Sequence, residues 1–347
     1  MNAISHPHES EPAYPMLAIV GPTATGKSAL ALRLAELWGG EVVNFDSMQL
    51  YRGFNVGTGK LPPEERRGIL HHLLDAVDPS QVFTAGDYAR EAARTLASLR
   101  ERAKLPILVG GTGLYLRTLL LGLFEGPGRS EELRARLHKV ARRRSRVFLH
   151  RMLQRFDPQT AARIHPRDTQ KVIRALEVCV LARRPFSSML AKGRAGLQGF
   201  RTIKIGLNPD RAELNRRIDA RVEAMFASGL IDEARGLFEA KGLSSGADSP
   251  RQGPFASLGY PQAAATARGE LSVEEAIRTT QAATRRYAKR QRTWFRREED
   301  VRWFKGFGDD PVIQQEVIDW LAHASLNSRG SASGMGSTAA GSMLSAN

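Results

Sequence analysis

The sequence predicts an α/β fold in which a parallel sheet is interrupted by a mostly helical insertion. Three observations support this prediction. A glycine-rich turn at 21–28 joins a short apolar run to an amphipathic helical pattern. Further short apolar runs recur between helical patterns, as expected for the buried strands of a parallel sheet. Between 126 and 199 these runs disappear, and helical periodicity with many arginines replaces them.

The turn has the phosphate-binding pattern of a P-loop NTPase-like core: two glycines separated by four residues and followed by Lys and Ser. Gly21 and Gly26 let the backbone direct its N–H groups toward one anion, and the following helix adds its positive dipole end. Lys27 supplies a point charge, and the Ser28 hydroxyl is the expected Mg²⁺ ligand. The alternative, an accidental glycine-rich turn, does not explain the flanking strand and helix. The residues predicted to hold the anion are Gly21, Pro22, Thr23, Ala24, Thr25, Gly26, Lys27 and Ser28.

The second apolar run, at Val42 and Val43, predicts a strand that leads to Asp46. Ligands of open parallel sheets bind beyond the carboxyl ends of the strands, so Asp46 and the phosphate loop are expected to face one crevice. There the carboxylate can hold magnesium through water or take a proton from a nucleophile. The alternative is that Asp46 only caps the turn at Ser47.

The remaining core segments add two polar features. The run at 105–109 predicts a third strand, which is followed by glycines and Thr112 rather than by the carboxylate that many nucleotide hydrolases carry there. The strand predicted at 202–207 precedes a helix on which Arg217 and Arg221 lie one turn apart, as a cationic pair. Arg217 is expected to help the phosphate loop stabilise charge on its anion.

The composition indicates a polyanionic partner. The chain has 347 residues, with 51 Lys and Arg against 36 Asp and Glu, and a net charge of +15. A high-GC genome explains the choice of Arg over Lys but not the surplus of cations. The single cysteine, Cys179, excludes an internal disulfide and a multi-cysteine metal site. Because no targeting segment or long apolar run is visible, a cytoplasmic protein without membrane contact is expected.

Two segments combine cations with groups that suit RNA. In the insertion, Asp168 is the expected cap of a helix on which Gln170, Lys171 and Arg174 share one face. At 285–297 cations alternate with aromatic residues, a composition that serves phosphate contact and base stacking. The alternative in each segment is a solvated charged face over an apolar core.

The length suggests two domains, or one large domain with an insertion. We expect a disordered leader at 1–14, a core at 15–125 and 200–322 whose last part is helical and binds RNA, and a helical insertion at 126–199. The Ser-, Gly- and Ala-rich segment at 325–347 is expected to be a disordered tail.

The ordered set of motifs resembles the tRNA dimethylallyltransferases. The motifs are GPTATGKS, VVNFDSMQLYRG, GTGK, HHLLD, PILVGGTGLYLR, HPRDTQKVIRALEV and TRRYAKRQRTWFRR, and they span roughly 16–305. The phosphate loop alone is generic, whereas the ordered set is highly specific. The resemblance implies transfer of a dimethylallyl group from dimethylallyl diphosphate to the exocyclic N6 amine of the adenine just 3′ of the tRNA anticodon. Mg²⁺, held by Ser28, is the expected cofactor, and we expect the enzyme to be a monomer.

The resemblance also implies roles for individual residues. Asp46 would be the general base, with Lys27 and Thr112 beside it in the catalytic group. The phosphate loop would hold the diphosphate, and Arg217 would help to stabilise the charge on it. The residues that would contact the tRNA are Asp46, Ser47, Met48, Gln49, Thr112, Arg134, Gln170, Lys171, Val172, Ile173, Arg174, Thr284, Arg285, Arg286, Lys289, Arg290 and Gln291.

One position departs from the family pattern. Many members carry an Arg shortly before a Gly-Tyr pair, and Ala256 stands in that place here, with Pro261 after the pair. This departure bears on one RNA contact and not on the chemistry.

Other functional classes share parts of this pattern. A small-molecule or nucleoside kinase would use the same loop on ATP, but the missing carboxylate after Val109 and the surplus charge argue against it. A prenyltransferase for free adenine nucleotides would have little use for the basic segments. An RNA-binding protein with a vestigial loop would have to explain why Lys27, Ser28 and Asp46 are all present.

Overall fold

The computed structural model describes residues 13–123, 126–190, 196–242 and 253–330. The chain divides into two compact units, one made of Met1–Leu116 with Gly199–Asn347 and the other of Arg117–Gln198. The expected leader, apart from its last two residues, and the tail beyond 330 lie outside the described residues. Within the described ranges, no helix combines the length and apolar character that crossing a bilayer requires.

The first unit contains a six-stranded sheet with the order β3-β2-β4-β1-β5-β6. Its strands are β1 (Tyr14–Val20), β2 (Gly40–Asn44), β3 (His71–His72), β4 (Leu105–Val109), β5 (Phe200–Leu207) and β6 (Val301–Phe304). All neighbouring strands pair in parallel. The predicted α/β fold with a parallel core is therefore confirmed, and the carboxyl ends of all strands lie along one edge.

The helices are α1 (Lys27–Trp38), α2 (Ala85–Glu101), α3 (Gly113–Leu121), α4 (Glu131–Arg143), α5 (Arg146–Phe156), α6 (Pro158–Arg163), α7 (Thr169–Ala182), α8 (Phe186–Leu190), α9 (Arg211–Ala227), α10 (Leu230–Ala240), α11 (Tyr260–Ala267), α12 (Val273–Phe295) and α13 (Pro311–Gly330). Helices α4 to α8 belong to the second unit. The boundary between the units falls inside α3, earlier than the sequence-based estimate of 126, because the end of α3 bonds within the second unit: Leu197 N–H donates to Leu119 O.

The core of the sheet unit forms where α1 and α13 cover one face of the sheet. Leu30 and Leu34 of α1 pack with Ile19 of β1, and Val317 of α13 joins the same cluster. These side chains are fully buried. Helix α13 runs to Gly330, so residues 325–330 are helical rather than part of a disordered tail. A helix that is anchored by an apolar face can extend past it, because each added residue gains one backbone hydrogen bond.

A buried carboxylate links the edge of the sheet to α2. Glu41 of β2 is 5% exposed. Arg102 donates to its two oxygens at 2.6 and 2.9 Å, and His72 Nε2 of β3 lies 2.6 Å from Oε2. The Arg102 hydrogen bond, helped by His72 and opposed by burial, holds the pKa of Glu41 below its ordinary value.

This cluster makes stability depend on pH. A carboxyl group with a lowered pKa in the folded state stabilises the fold above its unfolded pKa, about 4.3 for Glu, and loses this contribution as pH falls through the folded pKa. We expect Glu41→Gln to lower the free energy of unfolding by about 2 kcal/mol at pH 7 and by progressively less below about pH 4. Urea unfolding of both proteins across this range measures the difference. A pH-independent difference would contradict the assignment.

Candidate active site

The phosphate loop connects β1 to α1, and its glycines are required by close backbone contacts. Gly21 and Gly26 have φ angles of 147° and 77°. A Cβ atom on Gly21 would lie 2.7 Å from the carbonyl oxygen of Leu207, and one on Gly26 would lie 2.4 Å from Asp309 Oδ1. Helix α1 begins at Lys27, so its first N–H groups are available to an anion held by the loop.

The segment 307–309, which follows β6 and is called the brace below, packs against this loop. Gly308 N–H donates to Thr25 O at 2.8 Å. Arg217 of α9 donates to both carboxylate oxygens of Asp309 at 2.7 and 2.8 Å, and its guanidinium carbon lies 3.7 Å from the centre of the Phe307 ring. The sequence assigned Arg217 to diphosphate binding. In the structure Arg217 Nη1 donates to both carboxylate oxygens of Asp309, so Arg217 is part of the brace, and its contact with a diphosphate stays a prediction.

Arg221, the next cation along α9, lines a cavity over the loop. A cavity of about 260 Å³ over the phosphate loop is lined by Lys27, Ser28, Asp46 and Arg221 among other residues. Burial lowers the pKa of Lys27 to about 7; the Arg221 cation acts in the same direction, and Asp46 opposes both. Burial also lowers the pKa of Arg221. Two partly desolvated cations beside a single carboxylate form a site suited to a multivalent anion, whose binding would raise the pKa of Lys27.

Arg221 is a residue that the sequence analysis missed as a site residue. Its one-turn spacing from Arg217 was recognised, but spacing alone could not decide which of the two faces the cavity. The deciding contact is distant in sequence, because Asp309 holds Arg217. Arg221 Nη2 lies 3.5 Å from the carbonyl oxygen of Gly59, which aims the guanidinium across the cavity.

Asp46 follows β2 and lies at the sheet edge, as predicted. Its Oδ1 accepts the N–H of Met48 at 2.9 Å, and its own N–H donates to Asn44 Oδ1 at 2.9 Å. A Cβ atom on Gly111 would lie 3.3 Å from Oδ2, so this oxygen faces the glycines after β4. The carboxylate therefore caps the turn with one oxygen and lines the cavity as well.

Thr112 joins the ends of β2 and β4. Its hydroxyl accepts the Ser47 N–H at 3.0 Å and donates to Ser47 Oγ at 3.1 Å. Gln49 donates from Nε2 to the carbonyl oxygens of Thr58 and Gly59 at 3.2 and 3.4 Å. The predicted nucleotide contacts Ser47 and Gln49 thus already have fixed positions in the crevice wall.

Two residues of α12 complete this wall. Gln291 is 5% exposed; it accepts the Thr23 N–H at 2.9 Å and donates to Gly111 O at 3.0 Å. The resemblance implied that Gln291 contacts tRNA, which stays a prediction; in the structure its side chain links the phosphate loop to the end of β4 and lines the cavity over the loop. Tyr287 lies in the segment 285–297, which was predicted to serve phosphate contact and base stacking; burial, together with the nearby Asp46 carboxylate, raises its pKa, so its hydroxyl stays protonated.

A second cavity, of about 350 Å³, adjoins the first. Asp46 and Arg221 line both cavities. The side chains that make the second cavity largely apolar are Ala24, Met48, Ile218, Val222, Met225, Leu230, Ala256 and Leu258. An anion site and an apolar site that meet at a carboxylate suit a short apolar chain with an anionic head group.

Helix α12 carries the other predicted RNA contacts on two sides. Thr284 and Arg290 line the apolar cavity. A third cavity, of about 380 Å³ between α9 and α12, is lined by the cations Arg211, Arg285, Arg286, Lys289 and Arg292. Arg285 is paired with Asp219 of α9. Arg211 was not predicted, whereas Arg292 belongs to the segment 285–297 that was predicted to contact phosphate. Burial and the neighbouring Arg296 and Arg211 cations lower the pKa of Arg292, as expected for crowded positive charge.

In the second unit, three predicted RNA contacts form one cluster around a buried acid. Glu177 is fully buried and accepts from Arg134 at 3.3 Å, from Arg174 at 2.7 Å and from the Ser130 N–H at 2.7 Å. Arg134 also donates to Gln170 Oε1 at 3.2 Å. The shared acid holds both guanidinium groups in place, a role that the sequence analysis did not assign to Glu177.

Helix α7 carries the remaining predicted RNA contacts of this unit, and two of them, Val172 and Ile173, are buried. Asp168 caps α7, since its carboxylate accepts the Lys171 N–H at 3.3 Å. Lys171 pairs with Asp168 at 2.7 Å and stays exposed. Val172 and Ile173, however, are 0% exposed and lie in the apolar core of the unit. Their side chains therefore pack the unit instead of contacting RNA.

Magnesium would have to rely on few protein ligands. Among the described residues, no group of three or more His, Cys, Asp or Glu side chains could hold a metal ion. The Ser28 hydroxyl and the Asp46 carboxylate line one cavity and are oxygen ligands of the type that Mg²⁺ takes together with phosphate oxygens. This donor set fits Mg²⁺ bound jointly with a phosphorylated substrate.

Comparison with known proteins agrees with this geometry. The family model described as IPP transferase matches residues 49–298. The tRNA dimethylallyltransferase of Solibacter usitatus (strain Ellin6076) is 53% identical over 308 residues, which cover 89% of this chain and 98% of that protein. That of Koribacter versatilis (strain Ellin345) is 48% identical over 303 residues, covering 87% and 96%.

Solved structures give the same result. The full-length tRNA isopentenylpyrophosphate transferase of Bacillus halodurans is 36% identical with a TM-score of 0.65, over 91% of this chain and 98% of that one. A eukaryotic dimethylallyltransferase acting on tRNA is 26% identical with a TM-score of 0.72, over 91% and 78%. The resemblance seen in the motifs is confirmed, and the chain belongs to the IPP transferase family.

Proposed function

We propose that this protein transfers a dimethylallyl group from dimethylallyl diphosphate to N6 of the adenine 3′ of the anticodon in tRNA, releasing diphosphate. The observation that carries the proposal is the meeting of the anion cavity and the apolar cavity at Asp46. The names of the relatives, and the structure of a eukaryotic dimethylallyltransferase acting on tRNA, support both the reaction and the substrate.

The leaving group governs the chemistry. The adenine amine is a weak nucleophile because its lone pair is delocalised, so the allylic carbon must be activated. Breaking its C–O bond leaves the electron pair on the diphosphate and a resonance-stabilised positive charge on the allyl group. The phosphate-loop N–H groups, Lys27 and Arg221 would stabilise the charge that develops on the diphosphate. The apolar side chains would hold the prenyl chain and keep water from the cation.

Asp46 would complete the transfer. As the C–N bond forms, N6 becomes positively charged and must lose a proton. Asp46, which lines both cavities, would accept it. Thr112 would hold Ser47 in the wall beside the extruded base. Ser28 would be the protein ligand of Mg²⁺, which supplies further charge neutralisation on the diphosphate when bound.

The tRNA would be held by cations in each unit. In the sheet unit, these are the positive charges along α12 and the cavity between α9 and α12. In the second unit, the Arg134 and Arg174 pair around Glu177 presents preorganised guanidinium groups. An anticodon loop suits the reaction because an unpaired base leaves its stack at lower cost than a base in a duplex.

One experiment distinguishes this function from its alternatives. Purified protein is incubated with tRNA, Mg²⁺ and either dimethylallyl diphosphate or ATP. The RNA is then digested, and the masses of its nucleosides are measured by mass spectrometry. We expect one adenosine to gain a dimethylallyl group in place of one hydrogen, only with the prenyl donor. Phosphate transfer from ATP would instead favour a kinase. In a parallel incubation, AMP replaces tRNA. Modification of AMP but not of tRNA would favour a nucleotide prenyltransferase.

The cavity between α9 and α12 predicts a salt effect. If Arg286 contacts a phosphate, Arg286→Ala should weaken tRNA binding and reduce the slope of log K against log salt by about 0.7 to 0.9. The matched control is Arg278→Ala on the same helix, because Arg278 is paired with Glu275 and lies outside the cavity lining. Filter binding between low and moderate salt measures both. An unchanged slope for Arg286→Ala would mean that this face is only solvated.

A further inference from the structure

Glu233 of α10 lines none of the three cavities. Its carboxylate nevertheless accepts hydrogen bonds from four donors. Its Oε1 accepts from the Tyr260 hydroxyl at 2.6 Å and lies 3.3 Å from the Gly57 nitrogen. Its Oε2 accepts from the Val56 N–H at 2.9 Å, and the Asn55 nitrogen lies 3.2 Å from both oxygens. Hydrogen bonds to an ionised acceptor are about twice as strong as neutral ones, so this carboxylate can fix three successive backbone groups.

Those backbone groups belong to the loop 54–60, whose other side forms part of the active-site wall. Gly57 and Thr58 line the apolar cavity. The carbonyl oxygen of Gly59 lies 3.5 Å from Arg221 Nη2, and that of Thr58 accepts from Gln49. The loop therefore connects Glu233 to groups on both cavities.

The loop has little room to move without disturbing its neighbours. A Cβ atom on Gly57 would lie 2.5 Å from the Tyr260 ring, and one on Gly59 would lie 1.7 Å from Arg221 Nη2. Tyr260 is fully buried, and the centre of its ring lies 4.7 Å from that of Phe54. Burial and the Glu233 carboxylate both raise the pKa of Tyr260, so its hydroxyl remains a donor.

We propose that Glu233 is a positioning residue for prenyl diphosphate binding, which acts with Tyr260 through the loop 54–60 on the cavity wall and on Arg221. The proposal rests on the proposed function, because it takes the donor to be the occupant of these cavities. Glu233 itself touches neither the donor site nor the carboxylate that would accept the proton.

The first test separates donor binding from catalysis. Glu233→Gln keeps the size of the side chain but replaces one accepting oxygen with an amide that cannot accept. We expect the KM for dimethylallyl diphosphate to rise about tenfold or more, the free-energy equivalent of one charged hydrogen bond, with a smaller fall in kcat, because Arg221 is displaced and not removed, and with the KM for tRNA little changed. Tyr260→Phe should shift the same constant in the same direction by less. Glu239→Gln, at an exposed position on the same helix, is the matched control.

The second test follows the loop directly. Amide hydrogen exchange at residues 55–57, measured without donor, should be faster in Glu233→Gln than in the wild type and in Glu239→Gln. A wild-type donor KM in Glu233→Gln, or unchanged exchange at 55–57, would overturn the proposal. If Glu233→Gln does not fold, Tyr260→Phe decides by the same two measurements.

The two proposals fail in different ways. If the wild-type protein does not modify tRNA from dimethylallyl diphosphate, the proposed function is wrong, and no donor KM can be defined. If the wild type is active and the variants keep its donor KM, only the role of Glu233 is wrong.

Discussion

Asp46→Asn is expected to slow prenyl transfer by about a hundred- to ten-thousand-fold, the range for loss of a general base. The amide keeps the shape of the side chain and can still accept the Met48 N–H through Oδ1, so the turn after β2 should be preserved. The affinity for tRNA should change little. Single-turnover transfer at saturating donor, together with filter binding of tRNA, measures the two quantities separately.

The preserved turn makes this variant a clean test. Equal losses of transfer rate and tRNA affinity would indicate that Asp46 holds the nucleotide rather than its proton. Unchanged transfer would remove the general-base assignment altogether. The thermal midpoint of the variant should match that of the wild type, because Asn44 still bonds the backbone N–H at position 46.

Arg221→Gln is expected to lower the transfer rate by about a hundred- to a thousand-fold on every tRNA alike, as for loss of one group that stabilises transition-state charge. Arg217→Gln, one turn away on α9, is the matched comparison. Arg217 is held by Asp309 at the protein surface. Its loss should therefore lower the transfer rate by no more than about fivefold, which corresponds to the free energy of a surface ion pair.

A third variant decides how Arg217 acts. If Arg217 works through the brace, Asp309→Asn should reproduce the effect of Arg217→Gln, and the double variant should add nothing further. The opposite result would be a large loss in Arg217→Gln with a silent Asp309→Asn. It would mean that Arg217 leaves Asp309 to bind the diphosphate, as the sequence first indicated.

Local patterns predicted the fold well because they are dictated by burial. The apolar runs at β1, β2 and β4 are continuous since both faces of a parallel sheet are covered, and the glycine-rich turn needs its flanking strand and helix. The position of Asp46 followed from the same rule about strand ends. These features depend on neighbours close in sequence.

The contacts that were not predicted at Arg217, Gln291 and Glu233 depend on partners far away in sequence, whereas the burial of Val172 and Ile173 follows from the apolar face of α7. Nothing near Arg217 indicates Asp309, and nothing near Gln291 indicates that Thr23 and Gly111 would bury it. Glu233 acts on a loop that precedes it by a long stretch of chain. Such contacts are set by the tertiary fold, which a helical or strand pattern does not encode.

The brace behind the phosphate loop has a consequence for biosynthesis. β1 and the loop are among the first ordered segments to leave the ribosome, but β1 needs β5 as a neighbour, and the loop needs Gly308. In a nascent chain that lacks these late segments, the phosphate loop is without two of its stabilising contacts. The ability to capture a pyrophosphate-bearing substrate should therefore arise only near the end of translation, when these long-range contacts close.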